Sequence, residues 1–158
     1  MVIVDGNGLG SGLVDQLLLT SYDPVTGESL GCFDTINTDN KPEVDNAEKC
    51  LFDMKAQGQQ TKVVSYFINA VDSNILHMLI RKQEQDFTDK EREFFDKNVA
   101  PFMNTELLFM EITNLRLKVL SGNNLTVEKV VRKIDKDKFS ALSYGIFYIM
   151  EFCNKDKK

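Results

Sequence analysis

Two acidic positions at opposite ends of the chain stand at the mouths of apolar segments. Asp5 closes the run Val2, Ile3, Val4 and precedes a turn holding Gly6, Gly8, Gly10 and Gly12. Asp135 and Asp137 flank Lys136 and open a stretch in which Phe139, Leu142, Ile146, Phe147 and Met150 demand burial. A carboxylate that ends a buried element is held at the rim of a core. Hard divalent cations take oxygen ligands. Two such carboxylates brought together can hold metal that activates water against a phosphodiester. Plain structural roles compete with this chemistry. Asp commonly hydrogen-bonds the backbone of its own turn, and acids at helix starts serve as caps and dipole partners.

Other chemistry is less well supplied. The glycines run G-x-G-x-G-x-G, which gives neither the dinucleotide fingerprint G-x-G-x-x-G nor a Walker G-K-S/T. A phosphate cradle at this turn, and with it a small nucleotide-binding α/β protein, remains an alternative reading. A calcium loop fails because Leu9 and Gln16 fall where ligands should be. His77 is the only histidine and lies beside Leu76 and Met78, with nothing near it to form a catalytic triad or a zinc site. Arg116, Lys118, Lys129, Arg132, Lys133, Lys136 and Lys138 make the densest basic cluster. They suit DNA phosphates, or equally the wet side of a hairpin.

The elements that must position these groups follow from patterning. Met1–Asp5 reads as a buried strand, and a helix starts near Ser11, a candidate N-cap, through Leu13, Val14, Leu17 and Leu18. Residues 23–31 read as a loop or hairpin tip, residues 32–37 as a strand, and residues 43–60 are ambiguous. A helical period runs over 61–81, followed by a charged connector at 82–87. Thr88 and Glu91 form a capping box opening a helix toward Val99, and Pro101 restarts a second stretch to about Ile112. Residues 115–120 and 125–131 alternate around a turn at 121–124, as a β-hairpin does. An apolar helix over 136–152 and a frayed tail close the chain. The mixture predicts α/β or α+β.

The 158 residues fit a single domain. Net charge −5 argues against a stand-alone nucleic-acid binder, though not against an enzyme that meets DNA through metal or through a larger assembly. Cys32, Cys50 and Cys153, odd in number and without C-x-x-C spacing, read as reduced cytosolic thiols. No apolar run is long enough to span a membrane, and the opening MVIVDGNG lacks the basic flank of a signal peptide.

Together, VIVDGNGLGSGLVDQLL and KDKFSALSYGIFYI resemble the C-terminal nuclease domain of the large terminase subunit of tailed bacteriophages. The order between them is also similar: a lysine-bearing LFDMK segment, a long helix, and an NLRLKVL strand before the last helix. The resemblance covers nearly the whole chain. It implies an RNase H-like mixed sheet flanked by helices. It also implies a Mg²⁺- or Mn²⁺-dependent endonuclease that cuts concatemeric viral double-stranded DNA in the cytoplasm of the infected bacterium. In that pattern Asp5 corresponds to the second carboxylate of a triad, Asp137 to the third, and Asp135 to an auxiliary ligand. The family's first acid lies upstream of the Asp5 strand, so the expectation is a fold truncated at its N-terminus and lacking the ATPase motor. Because an opened sheet exposes strand edges, another chain such as the remaining nuclease segment or a second copy would then complete it, or the fold would rearrange. The implied partners are DNA, the ATPase domain, the small terminase subunit and the portal. A non-catalytic module of the same machine, binding DNA or the portal, is the other reading.

Overall fold

A strand paired on both sides is buried along its length, and residues 50–54 belong to one here. In the computed structural model, which describes residues 1–80, Lys82 and 86–153, the chain is mixed α/β. It divides into two compact units, Met1–Gln59 and Gln60–Lys158.

The first unit is organised on strand β5 (Glu48–Met54), the middle of a parallel three-stranded sheet ordered β1-β5-β4, with β1 at Val2–Asp5 and β4 at Phe33–Thr35. Cys50, Leu51, Phe52, Asp53 and Met54 are all buried, as expected of a strand paired on both sides. Helix α1 (Leu9–Leu17) covers one face, where Val14 and Leu18 pack with Val4 and Leu51. A short antiparallel pair, β2 (Ser21–Tyr22) and β3 (Ser29–Gly31), forms the expected hairpin tip. The ambiguous span 43–60 contains β5 and a 3₁₀ turn at Ala56–Gly58. The helix begins two residues before Ser11. Its N-cap is Gly8, whose positive φ of 57° suits glycine, while the Ser11 hydroxyl donates back to the Gly8 carbonyl.

In the second unit helix α2 (Gln60–Asp72) packs against α6 (Asp137–Tyr148) and the hairpin strand β7 (Leu125–Lys129). The Phe67 and Phe139 rings meet edge to face at 5.0 Å. Lys62 and Tyr66 both donate to Glu151 Oε1, at 2.9 and 2.7 Å, in a π-helical turn over Ile149–Cys153 that continues α6. The expected helix over 61–81 stops at Asp72. Asn74 takes φ 53°, and the amides of Ile75 and Leu76 both donate to the Ala70 carbonyl. The polar run Asp72, Ser73, Asn74 competes for backbone bonds there, and the apolar residues beyond it only mimic a helical period.

Thr88 and Glu91 do form a capping box, opening α3 (Asp89–Glu93). Helix α4 (Phe95–Asn98) follows, then α5 (Ala100–Thr113) with Pro101 in its first turn, where a missing N–H costs nothing. Strand β6 (Leu115–Val119) pairs antiparallel with β7 from Leu115↔Lys129 to Val119↔Leu125. Part of the expected connector at 82–87 and all of the tail 154–158 lie outside the described residues.

Leu51 has no exposed surface and sits where strand and helix layers meet. Leu51→Ala is expected to cost about 2–5 kcal/mol, read by chemical denaturation of the purified chain.

Candidate functional site

Asp5 is the last residue of β1 and is exposed at the carboxyl edge of the parallel sheet, where open α/β sheets place their ligands. Its Oδ1 accepts from the Asn7 amide at 3.2 Å and from Asn7 Nδ2 at 2.7 Å. The plain turn role is therefore present. The chain then doubles back tightly: a Cβ on Gly10 would overlap the Asp5 carbonyl oxygen. The Gly6, Gly10 and Ser11 amides donate to the carbonyls of Met54, Asn7 and Gly8, so these three are spent within the fold rather than offered to a phosphate.

Beside this turn lies a group of residues that patterning left unassigned. Asp53, four per cent exposed, stands next to Val4 in register. Its Oδ2 pairs with Lys55 Nζ at 2.8 Å, and the same ammonium donates to the Gly6 carbonyl at 2.8 Å. Asp53 Oδ1 is buried and has no hydrogen-bond partner among the described residues. A Cβ on Gly6 would overlap that oxygen, so glycine is required there. The Asn37 side chain completes the backbone of Asp53: its Nδ2 donates to the Asp53 carbonyl and its Oδ1 accepts from the Asp53 amide, both at 2.9 Å. The available signal was an Asp and a Lys two apart, hence on one face of a strand, inside an apolar run.

Asp137 begins α6 in the second unit and is exposed, as is Asp135 just before it. A helix start leaves amides without intrahelical partners, and the N-cap Lys136 supplies no side-chain acceptor. Instead Glu111, on α5 and six per cent exposed, accepts from the Phe139 amide through Oε2 at 2.9 Å. Glu111 does the capping that would otherwise explain Asp137, leaving that carboxylate only the favourable dipole of the first turn. Asn114 holds the approach to α6. Its side chain donates to the Val131 carbonyl at 3.0 Å and accepts from the Val131 amide at 2.7 Å. Neither partner was visible in local sequence, since Glu111 and Asn114 bridge 28 and 17 residues.

The basic cluster divides. Arg116 and Lys118, on one face of β6, both pair with Glu128 of β7, at 2.8 and 3.0 Å. The Lys118 hydrogen bond, then charge attraction to it and to Arg116, holds the Glu128 carboxyl below its ordinary value of 4.5. Arg132, Lys133 and Lys136 are exposed around the turn before α6 and Lys138 is half-buried, with no ion pair among the described residues. His77 lies exposed beyond the end of α2 rather than on a helix. Cys32, Cys50 and Cys153 are free thiols.

Among the described residues no three His, Cys, Asp or Glu side chains converge as a metal cluster. The donors at each end nevertheless suit a hard cation: Asp5 and Asp137 are exposed carboxylates. Asp53 is buried and pairs through Oδ2 with Lys55, while its Oδ1 lies over Gly6 without a partner among the described residues. No protein family, curated protein or solved structure matches the chain.

The hairpin's ion pairs set a pH dependence with a definite sign. Glu128 titrates lower folded than unfolded, so its stabilisation is complete above the unfolded value and is lost as pH falls through the folded one. Wild type is therefore expected to melt above Glu128→Gln at pH 7, with the gap closing as pH drops below the usual carboxylate range, followed by circular dichroism.

Proposed function

We propose that this chain is a Mg²⁺- or Mn²⁺-dependent endonuclease unit of a viral DNA-packaging terminase, cutting concatemeric double-stranded DNA in the cytoplasm of an infected bacterium. The observation that carries the reading is the exposed Asp137 at the head of α6, relieved of capping by the buried Glu111. A buried carboxylate spent on holding the helix start is costly for stability alone, and it leaves Asp137 exposed at that start. Asp135 is an auxiliary ligand beside Asp137, and in the first unit Asp5, at the carboxyl edge of the sheet, is a metal-ligand candidate of its own. The bound cation would supply charge stabilisation and a more acidic water. Arg132, Lys133, Lys136 and Lys138, and Arg116 and Lys118 where Glu128 releases them, contact the DNA backbone. The architecture in this reading is RNase H-like, working with the terminase ATPase, the small subunit and the portal.

A second reading has its own observation. The Asp5 Oδ1 bonds to Asn7 are the ordinary contacts of a turn, which favours a non-catalytic module that binds DNA or the portal. Plasmid nicking and linearisation with Mn²⁺ separate the two. Wild type is expected to cut, and Asp137→Asn and Asp5→Asn are each expected to lose about 100-fold or more, the scale of removing one preorganised charge-stabilising group. Binding without cutting at any Mn²⁺ concentration establishes the second reading and ends the first.

A further inference from the structure

Burying a carboxylate in the central strand of a sheet is expensive, and an apolar residue of similar size usually serves stability better. Three residues here are committed to that arrangement. Asp53 carries the charge, Gly6 lacks the Cβ that would overlap its Oδ1, and Lys55 bonds both Asp53 Oδ2 and the Gly6 carbonyl at 2.8 Å. The product is a lysine ammonium held at one point, just past the carboxyl end of β5. A lysine side chain normally spends considerable rotamer entropy when it binds something; this one has already spent it on the fold. An ammonium has three donors, and the two bonds described use two. The side chain is still 56% exposed.

The position is specific. Asp5 stands opposite Met54 in register, and Lys55 follows the last residue of that strand. The Lys55 ammonium bonds the carbonyl of Gly6, the residue after Asp5, so Lys55 and Asp5 stand at the same carboxyl end of the sheet. A strand of nucleic acid crossing that end of the sheet, with a cation between one phosphate and Asp5, would present the neighbouring phosphate to the ammonium. We propose that Lys55 is a phosphate-contacting residue of this unit, holding a backbone phosphate of DNA adjacent to the one at Asp5. The assignment rests on the nuclease reading for its substrate class. Because Asp53 neutralises Lys55, the pair offers a directed N–H rather than a long-range field.

That pairing gives the test an unusual sign. Asp53→Asn keeps the shape and removes the counter-charge, so binding of a short DNA duplex without divalent metal should tighten, by about threefold to tenfold at 0.1 M salt. Adding Lys55→Met in that background avoids stranding a buried carboxylate. It should reverse the gain and lower the slope of log affinity against log salt by about one. Lys49→Met is the control on the same strand and should change the affinity little, its lysine being largely exposed and paired loosely with Asp34 at 3.7 Å. Fluorescence anisotropy gives affinities, and melting curves confirm that each variant is folded. Equal affinity and slope for Asp53→Asn and the double variant overturn the proposal, as does wild type that binds no DNA. The nuclease reading fails separately. Cutting that depends on Asp5 with no effect of Lys55→Met on binding keeps that reading and ends this inference; the salt-slope change without any cutting does the reverse.

Discussion

The ion pair between Asp53 and Lys55 constrains everything around it. A charge inside a sheet must have its counter-charge close by, so the ammonium must reach back over the strand end. Its second bond then falls on the Gly6 carbonyl, and the carboxylate's other oxygen fills the space where a side chain at position 6 would stand. The turn leaving β1 is thereby tied to the end of β5, and Asp5 stands one residue before that tie. Apolar packing of Val4, Val14, Leu18 and Leu51 supplies the bulk of the cohesion in this unit. The charged pair decides where the strand ends lie.

The second unit solves a comparable problem differently. The start of α6 must be satisfied without a local capping side chain, and the solution comes from α5 through Glu111. Asn114, three residues on, then ties the end of α5 to the segment that leads from β7 into α6. Two side chains three residues apart, hence on one face of the end of α5, thus determine where another helix begins. At the far end of α6, Glu151 gathers Lys62 and Tyr66 of α2, so this helix is held by polar contacts at both ends and by Phe139, Ile146 and Phe147 between them.

What could be read from the residues was what local pattern determines. The β1 strand, its glycine turn, the capping box at Thr88 and the 115–129 hairpin all rest on neighbours within a few positions, and each is present in the fold. Strand β5 was ambiguous because a strand covered on both faces does not alternate, and an Asp within it broke the apolar run. The end of α2 was misplaced because Ile75, Leu76 and Leu79 continue a helical spacing that the backbone abandons at Ser73. Of the candidate site, Asp5 and Asp137 were legible as acids at the mouths of buried segments. Their supporting residues, Asp53, Lys55, Glu111 and Asn114, were not, since their roles depend on partners brought near only by folding.

Asn37 has a consequence for how this chain meets its own copies. Strand β4 stops at Thr35, and from there the Asn37 side chain takes over, giving Asp53 the pair of bonds that a neighbouring strand would have given. A strand left unpaired at that point would be a template on which another chain could add itself. An amide side chain offers the same donor and acceptor but goes no further, so it ends the ladder instead of extending it. A single residue thus closes the β4 side of β5 where the strand itself has ended.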